Sequence, residues 1–120
     1  MMIKIEAIVR EDKFEDVKQA LQDIDVHGIT VYQVMGCGTQ RGYVQFVRGQ
    51  EVDINMLPKI KFEIVVSDEE WEQKTIDVIQ KAAYTGNPGD GKIFSYDIKT
   101  AMRIRTKETG ASAIQPETNK

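Results

Sequence analysis

The feature that most constrains this chain is a repeat: a strand-helix-strand pattern occurs twice in succession. Residues 2–10 alternate, with Ile3, Ile5, Ala7 and Val9 on one face and Lys4, Glu6, Ile8 and Arg10 on the other. That alternation predicts a half-buried strand. Asp12-Lys13-Phe14-Glu15 then resembles a capping box, a cap residue with Glu three positions on. Phe14, Val17, Leu21 and Ile24 recur at helical spacing and predict a helix over roughly 13–24. Gly28 breaks the pattern, and Ile29 to Met35 predicts a second strand. The unit begins again with Ile60, Phe62, Ile64 and Val66 alternating against Lys59, Lys61, Glu63 and Val65. Ser67-Asp68-Glu69-Glu70 supplies a second capping box, and Trp71, Val78, Ile79 and Ala82 an apolar helical stripe. Ile93 to Ile98 predicts a fourth strand, with Phe94, Tyr96 and Ile98 on one face. A last short strand is expected to carry Met102 and Ile104 on one side, Arg103 and Arg105 on the other.

Two consecutive strand-helix-strand units make the split βαβ arrangement, an α+β ferredoxin-like fold. A chain of 120 residues suits one such domain and is too short for a doubly wound sheet. A single cysteine excludes a disulfide framework and a Cys-cluster zinc site. A single histidine, His27, excludes His-pair metal centres and leaves a His-based hydrolase without support. Sixteen Lys and Arg against nineteen Asp and Glu give a net charge of -3, which argues against direct nucleic-acid binding. The charged start, Met1-Met2-Ile3-Lys4-Ile5-Glu6, is unlike a signal peptide, and no apolar run reaches transmembrane length. A cytoplasmic protein without acid-base equipment is expected.

Two connections exceed what scaffolding requires. Residues 37–57 join the second and third strands, where a hairpin turn of about 2–5 residues would suffice. Residues 85–92, Thr-Gly-Asn-Pro-Gly-Asp-Gly-Lys, concentrate glycine between a helix and a strand. Gly86, Gly89 and Gly91 leave backbone N–H groups open to an anion, and Lys92 adds a point charge. A helix-terminating loop accounts for the same residues equally well. Gly36-Cys37-Gly38-Thr39-Gln40-Arg41-Gly42 is not a dinucleotide fingerprint, since its third glycine falls one position late and no helix follows. A phosphate contact and a plain flexible turn both remain open there.

Arg103 and Arg105, two apart on an expected strand, would point the same way and suit phosphate or carboxylate. Lys59 and Lys61 show the same spacing. Two basic pairs and a glycine loop ending in Lys92, in an acidic chain, point to a polyphosphate site. The alternative for either pair is a solvated strand face. His27 suits a charge partner at a helix end, Cys37 a small residue beside the backbone, and Trp71 the core. Tyr43-Val44-Gln45-Phe46-Val47-Arg48-Gly49 sets apolar residues and an arginine far from any core stripe. Such a segment is either a partner-binding element or a long hairpin pairing its own arms.

Together these segments resemble the PII family of nitrogen-regulatory signalling proteins, from about Ile3 to Ile114. The most specific stretch runs from Thr85 through Gly89-Asp90-Gly91-Lys92-Ile93-Phe94. Arg103-Ile104-Arg105-Thr106, Leu57-Pro58-Lys59, the glycine segment with Gln40, and Arg48-Gly49 support it in order and spacing. The resemblance implies one domain over 1–114 that assembles as a homotrimer, with a T-loop at about 37–57, a B-loop at about 84–92, a C-terminal loop at about 103–114 and a flexible tail over 115–120. It implies that ATP and ADP compete for clefts between subunits. Ile8, Thr30, Gly36, Cys37, Gly38, Thr39, Gln40, Lys59, Glu63, Val65, Gly89, Asp90, Gly91 and Lys92 would line the cleft, Glu63 and the adjoining strand residues at the adenine or ribose end, with Arg103 and Arg105 of the neighbouring subunit on the phosphates. It further implies 2-oxoglutarate bound beside Mg-ATP, Gln40 reaching the Mg²⁺ and Lys59 the carboxylate, with Arg41, Gly42 and Arg10 as further contacts. A cation of this kind takes few protein ligands and several phosphate oxygens. The T-loop would change shape with the effector and enter an ammonium transporter through Arg48, with Phe46 beside it; nitrogen-metabolism enzymes or regulators are further partners.

The chain departs from the family pattern in places. Val52 stands where many members carry a modified tyrosine, and Gln50 where some carry a modified serine, so neither modification is expected. Thr39 replaces a commonly basic residue, Lys107 a common glycine, and Tyr43 to Val47 differ from the usual loop sequence. Two other readings stay beside the sensor: a divergent PII-like protein that binds adenine nucleotides but not 2-oxoglutarate, and a slow nucleotide hydrolase with Asp90 as the only carboxylate in the loop.

Overall fold

The computed structural model describes residues 1–37, 44–47, 50–53 and 56–116, with residue 37 and the segments 44–47 and 50–53 described by backbone alone. In chain order the elements are β1 (Met2–Arg10), a 3₁₀ turn (Glu11–Lys13), α1 (Phe14–Asp23), β2 (Ile29–Cys37), β3 (Val44–Val47), β4 (Gln50–Asp53), β5 (Met56–Val66), α2 (Glu69–Ala83), β6 (Gly91–Ile98) and a 3₁₀ turn (Gly110–Ile114). Four strands form one sheet in the order β2-β5-β1-β6. Every neighbouring pair is antiparallel. β5 therefore lies between β1 and β2, the split βαβ arrangement expected from the repeat.

The alternation in β1 and β5 decides which face is buried. Ile5 pairs with Ile64 and Ala7 with Phe62 across the two central strands. Ile3, Ile5, Ala7, Val9, Ile60, Phe62, Ile64 and Val66 are buried and meet Val17 and Leu21 of α1 and Ile79 and Ala83 of α2. Phe14 stacks on Phe62 at a ring-centroid separation of 5.7 Å. The opposite face carries Lys4, Glu6, Ile8 and Arg10 beside Lys59, Lys61, Glu63 and Val65, all only half-buried. Among the described residues no helix is long and apolar enough to cross a membrane.

The structure corrects several local expectations. Asp12 does not cap α1: the 3₁₀ turn takes up Glu11–Lys13 and the cap position falls on Lys13, with no side-chain cap bond. A tighter three-residue turn there satisfies locally what a capping side chain would otherwise serve. At α2 the cap is Asp68, whose carboxylate accepts from the Trp71 amide at 2.9 Å. The α2 stripe buries Thr75, Ile79 and Ala83, with Trp71, Val78 and Ala82 along its margin. β2 and β5 pair as far as Cys37 and Met56, so both strands extend into the ends of the expected T-loop. Within that loop β3 and β4 pair from Val44 with Asp53 to Val47 with Gln50, the hairpin reading of this segment.

The last short strand does not form. Met102 makes an isolated bridge to Thr109. Between them the chain turns on itself, the Arg103 amide donating to Glu108 O at 2.9 Å and the Lys107 amide to Arg103 O at 2.8 Å. Lys107 adopts φ 63°, a left-handed conformation that a strand does not contain. Arg103 and Arg105 therefore do not share a strand face.

Candidate functional site

The glycine loop after α2 is organised by its own carboxylate. Asp90 Oδ2 accepts from the Thr85 amide at 2.8 Å and the Gly86 amide at 3.0 Å. Its Oδ1 accepts from the Thr85 hydroxyl and from Arg10 Nε, the latter at 2.9 Å. The Thr85 hydroxyl oxygen in turn accepts from the Asn87 amide at 3.2 Å. Burial alone would push the Asp90 carboxyl up, but the Thr85, Arg10 and Gly86 donors outweigh it and hold the group well below the usual carboxylate range. The Gly86 amide, expected to face an external anion, is thus already taken by Asp90.

Two cations from the sheet fasten this loop. Arg10, at the end of β1, also donates from Nη2 to Pro88 O at 2.7 Å. Lys59 of β5, paired with Arg10 in the sheet, donates from Nζ to Gly89 O at 2.6 Å. Burial, then the charge of Arg10, pushes the Lys59 ammonium below its ordinary value. Two glycines allow the close approach. A Cβ on Gly36 would stand 2.9 Å from Lys59 Cγ, and one on Gly91 would stand 1.8 Å from the Ile8 carbonyl oxygen. Gly91 also has φ +103°, a conformation that side chains rarely adopt. The chain enters β6 there, and Lys92 follows opposite Ile8 on the open face of the sheet.

A second group gathers around Glu63. Lys4 Nζ lies 3.0 Å from Glu63 Oε1 and Lys61 Nζ 3.2 Å from Oε2. The Tyr32 hydroxyl donates to Glu63 at 3.3 Å, and Tyr96 donates to Glu6 at 3.2 Å. The Lys4 hydrogen bond holds the Glu63 carboxyl below its ordinary value against burial, and Lys61 adds to it. The same bonds raise Lys4 and Lys61. Glu63 opens onto a cavity of about 770 Å³ that Thr30, Val65 and Arg103 also line. Arg103 bonds the carbonyls of Ser112, at 3.1 Å, and Gln115. Those bonds hold the C-terminal segment at the cavity, which Ala113, Ile114, Gln115 and Pro116 also line.

The expected nucleotide residues thus fall into two groups within one chain. Thr30, Glu63, Val65 and Arg103 line the larger cavity. Ile8, Asp90, Gly91 and Lys92 line a separate depression of about 280 Å³, with Lys59 and Gly89 bonded to each other beside Gly36. Arg105 lies in the exposed turn that follows Arg103. Cys37 and Phe46 are described by backbone only, as are Gln50 and Val52. Gly38, Thr39, Gln40, Arg41, Gly42 and Arg48 lie outside the described residues. Among the described residues no group of three His, Cys, Asp or Glu side chains gathers to hold a metal.

Sequence reasoning missed Lys4, Glu6, Tyr32 and Tyr96 as neighbours of Glu63, and Thr85 as a partner of Asp90. The first set was discoverable from the polar half of the strand alternation, once the strands are laid in register. The second was discoverable from Asp near Gly and Thr, residues whose side chains bond nearby backbone amides.

Residues 2–108 match the family model described as nitrogen regulatory protein P-II. The nitrogen regulatory protein P-II of Bradyrhizobium diazoefficiens is 49% identical over 113 residues, spanning 94% of this chain and all of that protein. The nitrogen regulatory protein GlnK of Escherichia coli is 41% identical over 110 residues, spanning 92% of this chain and 97% of that one. Among solved structures, Arabidopsis thaliana PII bound to citrate superposes with a TM-score of 0.75 at 35% identity, covering 93% of this chain and 91% of that one. Likeness over nearly the full length, in sequence and in fold, makes this chain a member of the P-II family of nitrogen regulatory proteins, which are signal-transduction regulators and not enzymes.

Proposed function

We propose that this protein senses adenine nucleotides and 2-oxoglutarate in clefts between the subunits of a homotrimer. The observation that carries the reading is the division of the expected ligand residues into two groups on one chain. The cavity with Thr30, Glu63, Val65 and Arg103 offers a hydroxyl, a carboxylate and apolar surface, which suit a nucleoside, and a guanidinium, which suits its phosphates. The loop with Gly89, Gly91 and Lys92 offers backbone and an ammonium, which suit phosphates. A neighbouring copy that brings its loop to this cavity completes a site for ATP or ADP. Gln40 would hold the accompanying Mg²⁺, and Lys59, with Arg41 and Gly42, the 2-oxoglutarate. The Arabidopsis relative is a complex with a polycarboxylate, citrate, a ligand chemistry of the kind Lys59 would meet. The segment with Phe46 and Arg48 would then report the ligand state to a target, with the cytoplasmic face of an ammonium transporter as the first candidate.

One observation favours a second reading, nucleotide sensing without 2-oxoglutarate: Lys59 is already bonded to Gly89 O. A slow hydrolase is disfavoured because Asp90, saturated with donors and held low, is a poor general base. Calorimetry separates the readings. ATP is expected to bind with or without Mg²⁺, and 2-oxoglutarate only after Mg-ATP. Nucleotide binding with no response to 2-oxoglutarate would establish the second reading, and no nucleotide binding would refute both.

A further inference from the structure

We infer that the C-terminal segment, residues 112–116, is a wall of the nucleoside cavity that meets the base of a bound nucleotide through Ile114. The inference deepens the nucleotide reading above and rests on it. The family match covers residues 2–108, and this segment lies beyond it. Its regular element is the 3₁₀ turn Gly110–Ile114, too short to hold a position by itself. Neighbouring residues place it. The Gly110 amide donates to Ala101 O at 3.1 Å, and Thr109 bridges to Met102. Arg103 Nη2 donates to the carbonyls of Ser112, at 3.1 Å, and Gln115. The Arg103 side chain is only 15% exposed, so these charge-assisted bonds form largely out of water and hold the segment firmly.

The cavity that this segment borders has two kinds of lining. Lys4, Thr30 and Glu63 give polar groups, and Trp71, Ile114 and Pro116 give apolar surface. Ile114 is half-buried while Gln115 and Pro116 after it are exposed, so it is the large side chain that the segment turns inward. A purine has two flat apolar faces and gains from surface of that kind. A phosphate chain gains nothing there. About 770 Å³ stays open with the segment in place, within the roughly 300–1,000 Å³ of small-molecule sites. The segment therefore bounds the space and does not fill it, which makes it a contact for the ligand and not a competitor. Trp71, the chain's single tryptophan, lines the same space and reports on what enters it.

The test compares the whole wild-type chain with Ile114→Asn and Ile114→Leu. ATP affinity is measured by calorimetry, and Trp71 emission is followed while ATP or inorganic tripolyphosphate is added. In the wild type, ATP should change the emission and tripolyphosphate should not. Ile114→Asn is expected to weaken ATP binding by roughly ten-fold or more, the scale of one large apolar contact. Ile114→Leu, which keeps the apolar surface, should bind ATP nearly as the wild type does. ATP affinity in Ile114→Asn equal to that of the wild type would overturn the inference. So would tighter binding, the mark of a segment that competes with the ligand. The wild-type emission decides the matter if the asparagine variant does not fold: an emission that ignores bound ATP, or that tripolyphosphate changes equally, would overturn the inference. A wild type that binds no ATP would instead bring down the nucleotide reading itself, a result distinct from ATP binding that is indifferent to residue 114.

Discussion

The Asp90 carboxylate takes two backbone amides, a hydroxyl and a guanidinium, and that concentration of donors governs how it titrates. Its folded-state value lies below the ordinary one, so the ionised form stabilises the folded chain. For a depressed carboxyl the contribution is complete above the unfolded value of about 4 and is lost as pH falls below it. Asp90→Asn should therefore cost about 1 kcal/mol near pH 7, read from urea midpoints. The difference between wild type and variant should hold steady down to about pH 5 and shrink below about pH 4. A difference that stays constant to pH 3 would show that the charge of Asp90 is not what matters. The sequence marked this residue as part of an anion-binding loop. It could not show that the chain's own carboxylate takes the Gly86 amide, because that depends on how residues 85–90 curl.

Helix α2 shows a different tension. Its buried face runs through Thr75, Ile79 and Ala83, and the fully buried Thr75 hydroxyl finds no hydrogen-bond partner among the described residues. An unpaired buried hydroxyl costs about 1–3 kcal/mol. Thr75→Val keeps the shape and removes the polar atom, so it should raise stability by about 1 kcal/mol. An unchanged or lower urea midpoint would mean that the hydroxyl is satisfied after all. The pattern in the sequence located this helix and all four strands of the main sheet, because alternation and helical spacing survive wherever one face is buried. It misplaced the α1 cap, where a 3₁₀ turn intervened. It also made a strand of residues 102–105, where Arg103 and Glu108 bond backbone to backbone. Short apolar-basic alternation carries no information about whether a neighbouring strand exists to pair with. The residues of the candidate site were legible as types and positions. Their division between two cavities was not, since it follows from how the strands are ordered in space.

Over the whole molecule, the helices cover one face of the sheet and the other stays open. Tyr32, Phe94 and Tyr96 on that face are 44%, 49% and 46% exposed, and Lys4, Glu6, Lys61 and Glu63 form a ladder of alternating charge among them. Exposed aromatic residues are enriched at association surfaces, and the charges around these are paired with one another. Sedimentation equilibrium should give a mass three times that of the 13.6 kDa chain. Phe94→Lys, which places a charge on the β6 edge of this face, should shift the protein toward monomers with its helical circular dichroism intact. A wild type that sediments as a monomer would remove the basis for clefts between subunits.

The placement of Thr30, Glu63 and Arg103 in one cavity and Lys92 in another also has a genetic consequence under the shared-cleft reading. Each chain would lend a nucleoside half to one neighbour and a phosphate half to the other. Defects in the two halves would then belong to separate classes. Co-expressed in one cell, a chain damaged at Glu63 and a chain damaged at Lys92 would form mixed assemblies in which some clefts draw both halves from intact sides. Two inactive alleles would together restore a measurable response, whereas two alleles damaged in the same half would not.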